Sequence, residues 1–261
     1  MRFPIAFLVV AAVATTGAAS CTTFNRARPL KPGEHAVAVT AGGPLTTIPG
    51  VGVIPLPNVT VEGRHGLVDH LDVNYGLHLL PTVFGNVGGH FGGTLQLYDA
   101  PHPFVPVVAI GQRFFFFTNI FDGRKVDKAA YALSQTDVTA SWEVWGSLLY
   151  TGVGFYVPVD VEDRSLFLAP FAGVEIHPGL DWLRVQVETR WLSPVTDQRF
   201  AVVDYAAPSD RGAIAINAGV LIEFTDLFAA MVNGGHDPPA AALDVDDTTA
   251  SNIDFSTQVQ P

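Results

Sequence analysis

The sequence predicts an all-β chain, an antiparallel up-and-down transmembrane β-barrel of about ten strands. Three observations predict it. Hydrophobic residues make up 48% of the 261 residues and charged residues only 15%, against roughly 25% charged in an ordinary soluble domain. A membrane helix needs about 20 consecutive apolar residues, and apart from residues 3–14 no run approaches that. The apolar residues instead alternate with small and polar ones, and a period of two puts each set on one face of a strand.

The elements follow in chain order. Residues 1–20 read as an export signal: Arg2 is the charged start, Phe3–Ala14 the apolar stretch, and TTGAASC the small-residue end. The single cysteine is Cys21, which excludes an intrachain disulfide framework. The tetrad Ala18, Ala19, Ser20, Cys21 resembles a bacterial lipobox, with Ala18 where Leu is usual. The resemblance implies cleavage before Cys21 by lipoprotein processing enzymes and acylation of its thiol and amine. With Thr22 next, it also implies outer-membrane lipid as the anchor's destination. Ordinary signal cleavage after Ala19 is the alternative. Removing residues 1–20 takes away one positive charge, Arg2, so the net charge goes from −11 to −12. That balance argues against nucleic acid as a partner. Residues 21–33 read as a tether with two prolines and the basic Arg26, Arg28 and Lys31. The barrel is expected over residues 34–224, and residues 225–261 read as an acidic, disordered tail.

Ten segments carry the strand pattern: 35–42, 58–66, 70–80, 90–98, 104–118, 138–145, 149–159, 166–176, 182–191 and 214–224. In 70–79, Leu71, Val73, Tyr75, Leu77 and Leu79 oppose His70, Asp72, Asn74, Gly76 and His78. In 182–191, Leu183, Val185, Val187, Thr189 and Trp191 oppose Trp182, Arg184, Gln186, Glu188 and Arg190. In 214–224, Ile214, Ile216, Ala218, Val220, Ile222 and Phe224 share a face. An even strand number and segments near ten residues suit a bacterial barrel. The polar face holds Gly, Ala, Ser, Thr and Asn with scattered charges. That composition fits a filled lumen and serves poorly as a solubilising surface, so the apolar face is expected to meet lipid. Trp142, Trp182, Trp191, Tyr150 and Phe224 lie near strand ends, where aromatic girdles sit. Phe114–Phe117 breaks the alternation and suggests a strand buried on both sides or bent over a rim.

Asn217-Ala218-Gly219-Val220-Leu221-Ile222-Glu223-Phe224 resembles the outer-membrane β-signal. Asn217, Gly219, Ile222 and Phe224 occupy its specified positions. The resemblance implies recognition by the outer-membrane assembly machinery and makes this the closing strand. Such signals usually end a protein, whereas residues 225–261 follow here. GRHGLVDHLDV (63–73) resembles the turn-plus-strand phrase of porin-like barrels, with His65 in place of the usual aromatic. Together these phrases resemble the bacterial porin-like outer-membrane barrel superfamily and no specific enzymatic family.

The polar faces supply the candidate site. Asp69 is expected in a turn, where its side chain can bond local backbone. His70, Asp72 and His78 share one face, and Glu62 and Arg64 join them from the preceding strand. Arg184, Glu188 and Arg190 form a second row, with Glu143 and Glu175 as partners across strands. The favoured reading is a lumen network of ion pairs and hydrogen bonds, because unpaired buried charge is costly. Three alternatives use the same residues. One is a metal site of His70, Asp72, His78 and His90. Another is a selectivity ring for a small solute on the arginine row. The third is an acid/base site resembling that of the omptin proteases, which pair Asp and His at a ten-stranded barrel mouth; the resemblance stops at residue types. No Ser-His-Asp motif and no phosphate loop is present. No catalytic residue, metal or cofactor is therefore assigned. A ten-stranded barrel has an interior largely filled by side chains, so the expected role is structural or surface interaction, or passage of a small solute through a narrow lumen. The alternatives are a barrel-embedded hydrolase and a soluble periplasmic lipocalin-like barrel that binds an apolar ligand with its faces inverted.

Overall fold

A computed structural model describes residues 24, 26–79, 82, 86–99, 102, 104–119, 130–159, 166–180, 182–197 and 204–224. Cys21 and residues 225–261 lie outside the described residues. The strands run in sequence: β1 His35–Ile48, β2 Gly52–Pro55, β3 Asn58–Val68, β4 Leu71–His78, β5 Asn86–Tyr98, β6 Val107–Asn119, β7 Ala130–Val144, β8 Ser147–Pro158, β9 Phe167–Ile176, β10 Leu183–Asp197 and β11 Arg211–Glu223. Ten of them, all but β2, pair antiparallel with their chain neighbours. β11 then returns to β1, with Ala36 opposite Glu223 and Pro44 opposite Ala215. The sheet is thus a closed ten-stranded barrel, and closure removes the free edges that an open sheet would expose. Each of the ten expected segments overlaps one of these strands, and seven of them overrun its ends by one to three residues.

The eleventh strand lies where the alternation is lost. β1 runs past the barrel register, and β2 pairs with that extension alone, from Leu45 opposite Pro55 to Ile48 opposite Gly52. Thr46 bridges to Tyr205 in the connection that precedes β11. The two barrel ends differ. At one end, two-residue turns join β3 to β4 through Asp69 and His70, and β7 to β8 through Trp145 and Gly146. Trp145 (φ 52°) and Gly146 (φ 74°) are both left-handed, the turn that matches the twist of paired strands. The other end carries the β1–β2 extension and the connections 120–129 and 198–210.

Burial is inverted relative to a water-soluble fold. Glu62, Arg64, Asp72, Asn74, Gln135, Asp137, Glu188 and Arg190 face the lumen and are buried. Val39, Tyr75, Leu77, Phe91 and Phe116 face outward, between 41% and 57% exposed. Apolar surface left in water costs roughly 25 cal/mol per Å², so an outer face dominated by such residues belongs in lipid. The chain is a membrane-spanning barrel. A soluble lipocalin-like barrel needs the opposite orientation, and this burial overturns that alternative.

Two aromatic expectations resolve differently. Phe114 and Phe116 point to lipid, while Phe115 and Phe117 point inward with exposures of 1% and 5%. Alternation therefore persists through the run, with aromatics on both faces. Trp182 is half exposed near the short-turn rim, and the Trp191 indole N–H donates to the Arg211 carbonyl at 2.9 Å near the other. Tyr150 instead faces the lumen, because it shares the parity of buried Leu148. It belongs to no girdle.

Candidate functional site

The lumen is lined by two linked polar clusters. In the first, β3 presents Glu62 and Arg64, which form an ion pair. Arg64 Nη1 lies 3.9 Å from Asp72 Oδ2 on β4, and Asp72 also accepts the Thr94 backbone N–H at 3.1 Å. On its other side Glu62 Oε2 is 3.0 Å from His90 Nε2. The chain continues through His90 Nδ1 to His78 Nε2 at 3.4 Å, and from His78 Nδ1 to Thr60 Oγ1 at 3.4 Å. Both imidazoles pack on Phe115, with ring centroids 5.7 and 5.3 Å away.

In the second cluster, Asp137 on β7 is shared by two guanidiniums. Arg113 Nη1 on β6 approaches one oxygen at 3.4 Å, and Arg190 Nη1 on β10 approaches the other at 3.2 Å. Arg190 Nη2 lies 3.1 Å from Glu188, and its guanidinium stacks 4.6 Å above the Phe171 ring. Tyr150 donates to Glu188 at 3.2 Å and accepts from Gln186 Nε2 at 2.6 Å. Tyr156 completes the set by bonding Arg190. Sharing carboxylates between arginines is the arrangement that offsets the desolvation of buried charge.

Most of the expected network residues meet here: Glu62, Arg64, Asp72, His78, Glu188 and Arg190. Arg184 pairs with Glu223 at 3.0 Å nearer the short-turn rim. Glu175 is buried there too, 3.9 Å from His177, and pairs with no arginine among the described residues. His70 and Glu143 depart from expectation as well. His70 is not on the strand face; the two-residue turn takes it up with φ 69°, and it faces Asp99 at 3.5 Å with half its side chain exposed. Glu143 has the inward parity but lies at the rim, 68% exposed, and pairs with Arg28 at 3.5 Å. The structure also supplies Arg113, Asp137 and Gln135, which no sequence signal singled out.

His70 is therefore remote from His78 and His90, and Asp72 is engaged by Arg64 and backbone N–H groups. Among the described residues, no three His, Cys, Asp or Glu side chains group to hold a metal ion. In the β-signal stretch, Asn217 and Gly219 face the lumen, while Ile222 and Phe224 share the outward parity. The Phe224 N–H donates to the His35 carbonyl at 2.6 Å, so the stretch forms the closing seam with β1.

Part of the segment expected to be a tether, Phe24 and Arg26–Leu30, lies inside the barrel, while Lys31, Pro32 and Gly33 are exposed. Phe24, Ala27 and Leu30 are 4%, 0% and 1% exposed. The Phe24 carbonyl accepts from Arg113 Nη2 at 2.7 Å and Arg64 Nη2 at 3.3 Å. Arg26 Nη2 donates to Glu223 at 3.0 Å, and the Leu30 N–H donates to Asp72 Oδ2 at 3.2 Å. Gly66 and Gly219 make room for it. A Cβ on Gly66 would strike the Lys31 carbonyl, and one on Gly219 would lie 2.5 Å from the Phe24 ring. Among the described lumen groups, six carboxylates (Glu62, Asp72, Asp137, Glu175, Glu188, Glu223) face four guanidiniums (Arg64, Arg113, Arg184, Arg190), an excess of two carboxylates over guanidiniums.

No family model matches the chain, and no curated protein matches it. Solved structures do. The translocator domain of the autotransporter NalP from Neisseria meningitidis aligns at 10% identity and TM-score 0.42, covering 84% of this chain and 96% of that one. Ail, the attachment invasion locus protein of Yersinia pestis, aligns at 8% identity and TM-score 0.26, covering 74% and 99%. OmpT, an outer membrane protein of Vibrio cholerae, aligns at 11% identity and TM-score 0.30, covering 80% and 73%. At these values the barrel assignment rests on the closed register and the inverted burial.

Proposed function

We propose that the chain is an outer-membrane barrel that acts as a sealed structural unit, holding its long connections at the cell surface, and not as a diffusion pore. One observation carries this reading. Asp72, Gln135, Glu188 and Arg190 project into the lumen from β4, β7 and β10, yet none has more than a trace of solvent-accessible surface. Water does not reach the side chains that would line a pore. Short turns at one end and longer connections at the other match the periplasmic and outer ends of bacterial barrels. Recordings of the purified protein in planar bilayers should be silent; a large, stable conductance would overturn the sealed-lumen reading.

The same reading takes Asn217, Gly219, Ile222 and Phe224 as the recognition stretch for the assembly machinery, and Cys21 as a lipid-anchored residue. Metabolic labelling with palmitate should mark the wild-type chain and be lost in Cys21→Ser. Unchanged labelling would refute acylation at that thiol.

A further inference from the structure

We infer that the short-turn half of the lumen is a binding site for an extended, arginine-bearing peptide, and that residues 24 and 26–33 are its resident occupant and no part of the wall. The inference rests on the sealed-lumen reading and goes beyond it. Residues 26–33 form no strand. Their main chain is held by side chains of the wall, as a bound peptide is held. Arg64 and Arg113 grip the Phe24 carbonyl, and Asp72 takes the Leu30 N–H. Two apolar seats alternate with these polar ones. Ala27 packs with Leu148, Tyr150 and Phe171, and Leu30 packs with Ala36, Ala38 and Leu221. Gly66 and Gly219 leave the wall bare where the segment presses closest.

Charge selects the occupant. The wall carries two carboxylates in excess, and the segment brings Arg26 onto Glu223. Arg28 adds a contact to the rim, with Glu143 at 3.5 Å and Ser141 at 3.4 Å. An acidic peptide would add like charge to a low-dielectric interior, where repulsion is strongest. The long-loop half differs, because Phe115, Phe117, Leu133 and Tyr156 close it from the wall itself. Emptying the peptide site therefore leaves the barrel sealed. A segment joined directly to β1 sits at an effective concentration of about millimolar, so it outcompetes micromolar peptide added from outside.

The test uses the full chain refolded in lipid vesicles. A fluorescent peptide of residues 24–33, FNRARPLKPG, is titrated against wild type and against the double variant Arg26→Glu, Arg28→Glu. In the variant the resident segment is repelled by Glu223 and Glu143. The variant should bind the peptide about tenfold more tightly than wild type, and a peptide with both arginines changed to glutamate should lose about tenfold. Retained barrel mobility on unheated gels checks folding. A folded variant that binds no better than wild type, or that binds both peptides equally, would overturn the site.

A second measurement does not depend on that variant. In Cys21→Ser, Ala27→Cys, the thiol should react with a water-soluble maleimide at least tenfold more slowly in the folded chain than in urea. Equal rates would show that the segment is not seated. Both outcomes are separate from the bilayer recordings, which stay silent if only this inference fails and conduct if the sealed lumen itself fails.

Discussion

In the long-loop half of the lumen, Phe115, Phe117, Leu133 and Tyr156 project from β6, β7 and β8 and pack on one another. In the short-turn half, the space is taken by Phe24, Ala27 and Leu30, which belong to no strand. The two fillings have different costs. Wall residues are fixed by sheet registration whether or not the lumen is full. Ordering a separate segment costs roughly 1–2 kcal/mol per residue in backbone entropy, offset by buried apolar contacts and by hydrogen bonds to charged groups, about 1.5–3 kcal/mol each. A structure held by such a balance opens locally before the rest unfolds. The first half is therefore a permanent seal, and the second is an occupied site.

The largest effect is expected where both halves meet. Arg190 joins Asp137 and Glu188 and touches Tyr156 and Phe171. Arg190→Met keeps much of the volume and takes the arginine from two buried carboxylates, leaving Asp137 to Arg113 and Glu188 to the Tyr150 hydroxyl. Removing one partner of a buried pair costs about 3–5 kcal/mol, and the upper end is expected here because two acids lose a partner. Urea unfolding in vesicles, followed by tryptophan fluorescence, measures it. A loss below about 1 kcal/mol, the range of exposed pairs, would mean that water already reaches this ladder, and the contrast between sealed and occupied halves would dissolve.

Phe115→Ala tests the permanent half alone. The ring is 1% exposed and contacts both imidazoles of the Glu62–His90–His78 chain. Truncating a buried Phe costs about 3 kcal/mol or somewhat more. Global stability should fall by that amount, while maleimide labelling at Ala27→Cys in the Cys21→Ser background stays slow. Fast labelling would show that the two halves open together, and the distinction would then need to be withdrawn.

How much of this could be read from the sequence depends on whether a residue sits in a clean alternation. Leu71–Leu79 and Leu183–Trp191 interleave an uncharged, mainly apolar face with a polar one, so their faces, and hence Asp72, His78, Glu188 and Arg190, were legible. Arg113 was not, because Phe114–Phe117 follows it with aromatics on both faces and erases the parity signal. Asp137 was hidden by the outer face beside it. There Gln112, Ser134 and Thr136 hydrogen-bond one another, at 2.9 and 2.6 Å, on a side expected to be apolar. His70 was misplaced by the tight turn, and Tyr150 by a strand that carries aromatic residues on both faces. The seated segment had no local signature. Prolines and arginines next to a barrel read as solvated chain, and only the fold brings Arg26 to Glu223, 197 residues away.

The smallest of the expected effects falls at the base of the occupied half. Gly66 on β3 receives the carbonyls of Leu30 and Lys31 so closely that a Cβ cannot be added without movement. Its own backbone is also engaged: its N–H donates to the Glu34 carbonyl at 2.9 Å, and its carbonyl accepts the Gly33 N–H at 3.0 Å. In Gly66→Ala, either the wall shifts or the segment lifts. The wall is tied on both sides, by the β1 register at His35–His65 and by the β4 register at Gly66–Asp72. The segment is tied to the wall's backbone here by the single Gly33 bond and by no ladder, so it should yield. Overpacking of this kind costs about 1–3 kcal/mol, and only the part felt by the wall enters global unfolding. The expected result is a stability loss near 1 kcal/mol or less, with labelling at Ala27→Cys (again with Cys21→Ser) several-fold faster than without the Gly66 change. If stability instead falls by 3 kcal/mol or more while position 27 stays protected, the segment is as rigid as the strands. Residues 24 and 26–33 would then count as wall, and no exchangeable occupant would remain.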